Sequence, residues 1–325
     1  MRYVLRRIGF YLVAAWASLT LNFIIPRLMP GDPASAIFAR FKGQLQPDQI
    51  QSMREAFGFT DAPLLEQYVS YLSHAVRGDF GTSISAFPAS VTSVIGSGLV
   101  WTLLMGMTAL IISFALGSLL GMVSAWRRGG LLDNVFPPLL IFIGSFPFFW
   151  LAMVALYFLG FKAGWFPLRH AYSDTIRPGF NFTFLQSVFS HLVLPACSII
   201  LVSIGGWVLG MRNTMINVLG EDYITFASAK GLTPRRVMFQ YAARNALLPN
   251  MTAFGMALGF VLGGQIIVET VFSYPGLGYL LIRAVSNLDY PLMQGIFLMI
   301  TLAVLGANLI VDLLYVRMDP RVRAN

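Results

Sequence analysis

Residues 98–126 read GLVWTLLMGMTALIISFALGSLLGMVSAW and contain no Asp, Glu, Lys or Arg. About 20 apolar residues in an α-helix, at about 1.5 Å per residue, cross the hydrocarbon core of a bilayer. A helix also satisfies its own backbone hydrogen bonds in lipid, whereas membrane strands are shorter and alternate apolar with polar residues. This stretch therefore predicts a transmembrane helix.

Five more long apolar runs occur along the chain, at roughly residues 8–29, 135–160, 191–212, 248–272 and 292–316. Of the 325 residues, 57% are hydrophobic and 11% charged, whereas soluble domains are about 25% charged. The first run follows a basic N-terminus but is longer than the core of a signal peptide and has no clear cleavage site, so we interpret it as a retained span. We predict an all-α membrane protein with six transmembrane helices.

The positions of the charges predict the orientation of these spans. If the N-terminus lies in the cytoplasm, the segments between spans on the cytoplasmic side, here called inner segments, carry 13 of the 22 Lys and Arg residues. They carry only 5 of the 14 Asp and Glu residues. This bias follows the positive-inside rule and places both termini in the cytoplasm. The net charge of +8 is then explained by topology, and no nucleic-acid partner is needed.

The spans and the orientation divide the chain into four parts. Residues 1–29 form the cytoplasmic N-terminus and the first span, and residues 30–97 form an extracytoplasmic segment. Residues 98–316 form a five-helix core that contains a cytoplasmic loop at 213–247, and 317–325 form a cytoplasmic tail. Apolar residues at helical spacing over 64–76 predict an amphipathic helix in the outer segment, lying either on the bundle or on the membrane surface.

The cytoplasmic loop contains a short predicted helix with both ends marked. Glu221 and Asp222 are anions at its N-terminus and Lys230 is a cation at its C-terminus, as the helix dipole favours. Gly231 follows as a C-terminal capping glycine. Thr233 and Pro234 then predict the first turn of a second helix, which runs towards residue 249.

One side of this short helix is partly apolar. Tyr223, Phe226, Ala227 and Lys230 recur at i, i+3, i+4 and i+7. Such a surface can dock into a groove on a partner, but the same pattern also fits an ordinary inner loop stabilised by its caps. The residues alone leave both interpretations open.

Neither an ATPase site nor a proton relay is indicated by the charged residues. A phosphate-binding loop needs a Lys directly after Gly, and the three lysines Lys42, Lys162 and Lys230 follow Phe41, Phe161 and Ala229. Ion-coupled carriers usually hold ionisable residues at mid-membrane, whereas Glu269 and Asp312 lie near the ends of their predicted spans. An ion-coupled secondary transporter is therefore the less favoured alternative. The lone Cys197 and three separated histidines give no metal-site spacing.

Small residues recur at intervals of four on two predicted spans. Gly117 and Gly121 do so on the second span, and Gly255, Gly259 and Gly263 on the fifth. We interpret both sets as sites of close helix packing; the alternative is that they let helices slide during gating.

Several motifs, taken together and in order, resemble the permeases of ABC transporters, and more narrowly the B-type subunit of dipeptide and oligopeptide importers. The motifs are the N-terminus with the first span, Pro30-Gly31-Asp32-Pro33, Arg77-Gly78-Asp79-Phe80-Gly81-Thr82-Ser83, Tyr223-Ile224-Thr225-Phe226-Ala227-Ser228-Ala229-Lys230-Gly231, Arg244-Asn245-Ala246-Leu247-Leu248-Pro249, Glu269-Thr270-Val271-Phe272-Ser273-Tyr274-Pro275-Gly276-Leu277-Gly278 and Asp289-Tyr290-Pro291-Leu292-Met293-Gln294-Gly295.

This resemblance implies a type I ABC importer permease fold in a bacterial inner membrane. It implies as partners a second, homologous permease, two cytoplasmic ATPase subunits that hold ATP and Mg²⁺, and an extracytoplasmic binding protein that delivers a peptide. This chain would carry no cofactor. The residues expected to couple to the ATPase are Glu221, Asp222, Tyr223, Phe226, Ala227, Lys230 and Gly231, and the family-motif outer loop comprises Glu269, Pro275, Gly276, Gly278, Asp289, Tyr290 and Pro291. Relatives with the same architecture import nickel complexes or glutathione, so the cargo stays open.

Overall fold

The computed structural model describes residues 2–28, 62–263 and 265–318, and the described chain is predominantly helical. β pairing within these ranges is limited to one isolated bridge between Thr82 and Ser90. The helices are α1 (Arg2–Leu28), α2 (Leu64–Arg77), α3 (Val91–Trp126), α4 (Leu131–Gly144), α5 (Phe148–Lys162, π-helical over Leu156–Lys162), α6 (Phe182–Leu219), α7 (Asp222–Ala229), α8 (234–262, π-helical over Val237–Ala243), α9 (Ile266–Val271), α10 (Leu277–Ser286) and α11 (Tyr290–Met318).

Three described helices are long and apolar enough to cross a bilayer: Val91–Trp126, Phe182–Leu219 and Tyr290–Leu309. The pair α4 and α5 makes a fourth candidate span if the two are counted together. In α1 the apolar part is shorter, covering Gly9–Ile25. The described chain is thus a multi-pass membrane protein with three to four candidate spans, fewer than the six predicted.

Two predicted spans are interrupted. The third, 135–160, bends by 93° between α4 and α5. Pro147 stands immediately before α5, and a proline both lacks a backbone N–H and restricts the residue before it, so it favours a new helix start there. The fifth, 248–272, ends as α8 at Leu262 and resumes as α9, after a pair of glycines at 263 and 264 that have low helix propensity.

The helices and the predicted segments do not share all their boundaries, and the division into segments stays a prediction. Because α3 begins at Val91, the outer segment 30–97 includes its first turns. The cytoplasmic loop 213–247 includes the end of α6 and the start of α8, so only 220–233 separates these helices. The amphipathic helix predicted over 64–76 is confirmed as α2. Predictions for residues 30–61, including Pro30-Gly31-Asp32-Pro33, and for the tail beyond 318 lie outside the described residues.

The described helices group into two units. Unit 1 comprises Met1–Thr102, Leu262–Thr270 and Pro275–Asn325, and unit 2 comprises Leu103–Val261 and Val271–Tyr274. In unit 1, α1 packs along α11, and a buried apolar cluster joins the start of α3 to α10 and α11. Val91, Leu277 and Ile296 are fully buried members of that cluster.

In unit 2, glycines bring the backbones of neighbouring helices together. A methyl group on Gly117 would lie 2.5 Å from Cβ of Trp207 on α6, and one on Gly121 would meet the carbonyl of Val208. Close packing by Gly117 and Gly121 is therefore confirmed, as small residues at helix interfaces predict. The corresponding interpretation of Gly255, Gly259 and Gly263 stays a prediction.

The contact between α4 and α6 gives a matched test of this packing. A methyl group on Gly205 would lie 2.8 Å from the carbonyl oxygen of Leu140, whereas one on Gly206 would meet nothing within 4 Å. We expect Gly205→Ala to lower the free energy of unfolding by about 1–3 kcal/mol, because backbone atoms must separate. Gly206→Ala should leave it unchanged or raise it by up to about 1 kcal/mol, because Ala has the higher helix propensity. Thermal unfolding of the purified protein in detergent measures both. Equal stability of the two variants would contradict the tight contact.

Candidate functional site

The predicted cytoplasmic helix forms as α7, with its ends where the sequence placed them. Glu221 precedes its first residue Asp222, Lys230 follows its last residue, and Gly231 adopts a left-handed φ of 74°. Pro234 occupies the first turn of α8 after Thr233. Neither Glu221 nor Thr233 makes a side-chain capping hydrogen bond, so charge and backbone conformation mark these termini.

One side of α7 is anchored in unit 2. Ile224 and Ala227 are buried among Met215 of α6 and Val237 and Ala242 of α8. Ala227 also borders the open side of α7, so its predicted place on a docking surface stays a prediction. Residues three apart share a helix face, so Ala227 follows Ile224 into the core. The burial fixes α7 against two long helices.

The other side of α7 is open. Phe226 is 69% exposed and Tyr223 is 39% exposed. A depression of about 400 Å³ is lined by Asp222, Tyr223, Phe226, Ala227, Lys230, Leu232 and Tyr241. We call this depression the α7 pocket. It brings together five of the seven predicted coupling residues; Glu221 and Gly231 are not part of its lining.

Contacts at the α7 pocket hold its aromatic side chains. The Nδ2 of Asn245 donates a hydrogen bond of 2.8 Å to the Tyr223 hydroxyl. The Lys230 ammonium lies 5.8 Å from the centroid of the Phe226 ring. An exposed aromatic centre flanked by one anion and one cation is the composition typical of a protein-binding surface.

An ion pair between a half-buried arginine and a buried aspartate lies next to this region and was missed by the sequence reasoning. The Arg212 guanidinium donates two hydrogen bonds to Asp133, at 2.5 Å from Nε to Oδ1 and 3.0 Å from Nη2 to Oδ2. Asp133 is buried and also accepts from the backbone N–H of Gly129. The pair joins the start of α4 to α6, one turn from the Met215 that contacts α7.

Glu269 lies in the interior of unit 1. It is fully buried, although we predicted it near an interface at the end of a span. Its Oε2 accepts hydrogen bonds from the backbone N–H groups of Gly278 (2.7 Å) and Tyr279 (3.1 Å), and its Oε1 accepts from the Thr102 hydroxyl (2.8 Å). The carboxylate thus caps the N-terminus of α10, where the helix dipole favours an anion.

The glycines of the same motif make room for this carboxylate. A methyl group on Gly276 would meet the Glu269 carboxylate at 2.5 Å from each oxygen, and one on Gly278 would lie 2.5 Å from Cα of Ile266. The Thr102 hydroxyl also accepts a hydrogen bond of 2.8 Å from the N–H of Leu277. Thr102, a lone hydroxyl in an apolar run, is the member of this site that the sequence reasoning did not find.

Asp289 caps the N-terminus of α11, as Glu269 caps that of α10. Its Oδ2 accepts hydrogen bonds from the hydroxyl of Ser83 (2.6 Å) and from both the N–H and the hydroxyl of Ser85 (2.7 Å each), while Oδ1 accepts from the N–H of Leu292 (3.2 Å). Asp289 is fully buried. Two motifs more than 200 residues apart, 77–83 and 289–295, are thereby brought together.

The remaining residues of the family-motif outer loop are buried or half-buried. Tyr290 belongs to the buried cluster of unit 1, Pro291 is buried in the first turn of α11, and Pro275 is half-buried beside Gly276. Within the described ranges no group of three His, Cys, Asp or Glu side chains has a metal-binding arrangement.

Comparison with known proteins identifies the family. The family of binding-protein-dependent transport system inner membrane components matches residues 117–324. A putative peptide permease of Brucella suis is 35% identical over 99% of both chains. The di/tripeptide transport system permease of Pseudomonas aeruginosa is 32% identical and the dipeptide transport system permease of Escherichia coli 33% identical, each over 99% of both chains. The chain belongs to the peptide ABC permease family. This confirms the resemblance drawn from the motifs, and makes the chain a membrane subunit of an ABC transporter.

The capping role of Glu269 in this permease can be tested by a nearly isosteric change. Glu269→Gln keeps the shape but turns one acceptor into an NH₂ group that faces N–H or O–H donors. We expect a loss of about 1–3 kcal/mol in the free energy of unfolding, because buried donors lose their acceptor. Glu66→Gln on the exposed side of α2 is the control and should change nothing. Thermal unfolding in detergent is the measurement, and equal melting temperatures for the two variants would rule out the cap.

Proposed function

We propose that this permease forms half of the translocation pathway of an ATP-driven, binding-protein-dependent peptide importer. The observation that carries the proposal is the α7 pocket, an exposed aromatic depression on a helix whose opposite side is buried between α6 and α8. The names of the relatives, which include dipeptide and di/tripeptide permeases, support a short peptide as cargo.

The proposal includes six spans with both termini in the cytoplasm. The spans correspond to α1, α3, the bent pair α4 and α5, α6, the broken pair α8 and α9, and α11. The excess of Lys and Arg on the inner segments supports this orientation, because short basic loops are retained on the cytoplasmic side. Residues 30–90 would then face outward together with 163–181, where a binding protein delivers its cargo.

In the proposed mechanism, α7 receives the movement of a separate ATPase subunit. Phe226 and Tyr223 enter a groove on that subunit, and the buried Ile224 and Ala227 pass the displacement to α6 and α8. The Asp133–Arg212 pair extends it to α4. ATP and Mg²⁺ stay on the partner, and ATP binding need only favour one conformation by a few kcal/mol to switch access to the cargo.

Two alternatives have different tests. A transporter of nickel complexes or glutathione would use the same architecture. To distinguish these cargoes from a peptide, the ligand is eluted from a co-purified binding protein and identified by mass spectrometry. An ion-coupled carrier would act without an ATPase. A pull-down of the intact permease that recovers no ATPase chain would favour that reading.

Docking through α7 can be tested at Phe226. Its side chain is 69% exposed, so Phe226→Ala removes contact area without opening a cavity. We expect the ATPase subunit to co-purify at least tenfold less, because exposed aromatics at an interface centre commonly contribute about 2 kcal/mol or more. Phe180→Ala, another exposed aromatic in the segment 163–181 of the proposed outer side, is the control. Equal recovery of the ATPase with both variants would remove α7 from the interface.

Coupling can be separated from docking at Gly231. A methyl group on Gly231 would meet nothing within 4 Å, and its φ is 74°, so only backbone conformation restricts this position. We expect Gly231→Val to reduce substrate-stimulated ATPase activity and uptake in reconstituted complexes, because a β-branched residue disfavours left-handed φ. Gly231→Asn should retain most activity, since Asn tolerates this conformation. Unchanged stimulation in the valine variant would contradict a role for the α7 terminus.

A further inference from the structure

The side chains of α2 form three distinct sectors. Its half-buried residues, among them Tyr68 and Tyr71, face α1. Its polar residues, including Glu66 and Ser70, are exposed on the opposite side. Between these two sectors lies a third that is apolar and yet exposed, formed by Leu65, Val69 and Val76 at 73%, 59% and 86%. No residue of α2 is fully buried, so contact with α1 accounts for only one of its two apolar sectors.

Three hydrogen bonds fix the height of α2 along α1. The Tyr68 hydroxyl is 2.7 Å from Oγ1 of Thr20, the Tyr71 hydroxyl accepts from Nδ2 of Asn22 at 3.1 Å, and Oε1 of Gln67 accepts from the Arg27 guanidinium at 3.1 Å. The Phe23 ring lies between the two tyrosines, 5.2 Å and 5.6 Å from their centroids.

Two of these contacts, at Thr20 and Asn22, lie inside the apolar part of α1, and the third, at Arg27, lies just beyond its end. That part extends to Ile25, and Thr20 precedes Ile25 by five residues, or about 7 Å along a helix. An amphipathic helix at a membrane interface inserts its apolar side about 5–10 Å into the headgroup and acyl boundary. The depth set by Thr20 falls within this range.

α1 also has exposed apolar side chains at the level where it contacts α2. Leu21, Ile24 and Ile25 are exposed on the same stretch of α1 that contacts α2. At the upper edge, the Arg27 guanidinium lies 3.5 Å from the Phe23 ring centroid and bonds to Gln67. Tyrosines and a cation at this level are typical of the interfacial region of a bilayer.

We propose that α2 is an interfacial membrane anchor that lies in the outer leaflet, with Leu65, Val69 and Val76 in contact with lipid acyl chains. The sector of Glu66 and Ser70 faces water. This inference rests on the proposed topology, in which α1 spans the membrane with its C-terminal end outside. It assigns the occupant of the apolar sector as lipid rather than an extracytoplasmic protein.

Spin labels at neighbouring positions test this assignment. In a Cys197→Ser background, Val69→Cys and Ser70→Cys are labelled in the complete transporter reconstituted into phosphatidylethanolamine and phosphatidylglycerol vesicles, together with Val76→Cys. The accessibility of each label to oxygen, which concentrates in lipid, is compared with its accessibility to a water-soluble nickel chelate. We expect the oxygen-to-nickel ratio at Val69 and Val76 to exceed that at Ser70 several-fold.

Two outcomes would overturn the anchor. Equal ratios at Val69 and Ser70 would place the apolar sector in water, and protection of Val69 from both reagents would assign it to a protein partner. A label at Leu21→Cys on α1 separates this inference from the proposed function. A lipid-like ratio at Leu21 with a water-like ratio at Val69 would reject the anchor alone, whereas water-like ratios at both would reject the spanning topology of α1.

Discussion

An ionised carboxylate in a membrane protein must be solvated by the protein itself, and this constraint shapes both units. Glu269, Asp289 and Asp133 are all buried. Each accepts at least three hydrogen bonds, from helix N-termini, hydroxyl groups or an arginine. An unpaired buried charge costs several kcal/mol. The same carboxylates therefore hold together segments that are far apart in sequence.

This arrangement bears on how the permease is energised. Intramembrane carboxylates of ion-coupled carriers mark the ion pathway, whereas each of these carboxylates accepts several hydrogen bonds from the protein. Among the described residues, the three buried carboxylates are all held in this way and have structural roles. The exposed surface feature is instead the α7 pocket. Its aromatic side chains are exposed, while the opposite side of α7 is buried against α6 and α8. Buried carboxylates with structural roles and an exposed α7 pocket together favour a permease that receives its energy from a separate protein.

Local signals predicted most of the local structure. The charges around α7, the left-handed Gly231, the proline at the start of α8 and the amphipathic pattern of α2 each depend on residues within one or two helical turns. Pairings across the chain were not predictable in this way. Thr102 with Glu269, Ser83 with Asp289 and Asp133 with Arg212 join residues 79 or more positions apart, and no periodicity encodes them. Ala227 lies at the border of two faces of α7, since it belongs to the buried cluster and also lines the α7 pocket.

The most direct test of this account is peptide uptake into sealed vesicles under two energy sources. The permease is reconstituted either alone with an imposed proton gradient, or with its second permease, ATPase subunits and binding protein in the presence of ATP. We predict uptake only in the second case, and its loss when ATP is replaced by a non-hydrolysable analogue. Accumulation of peptide by the permease alone, driven by the gradient, would contradict the account.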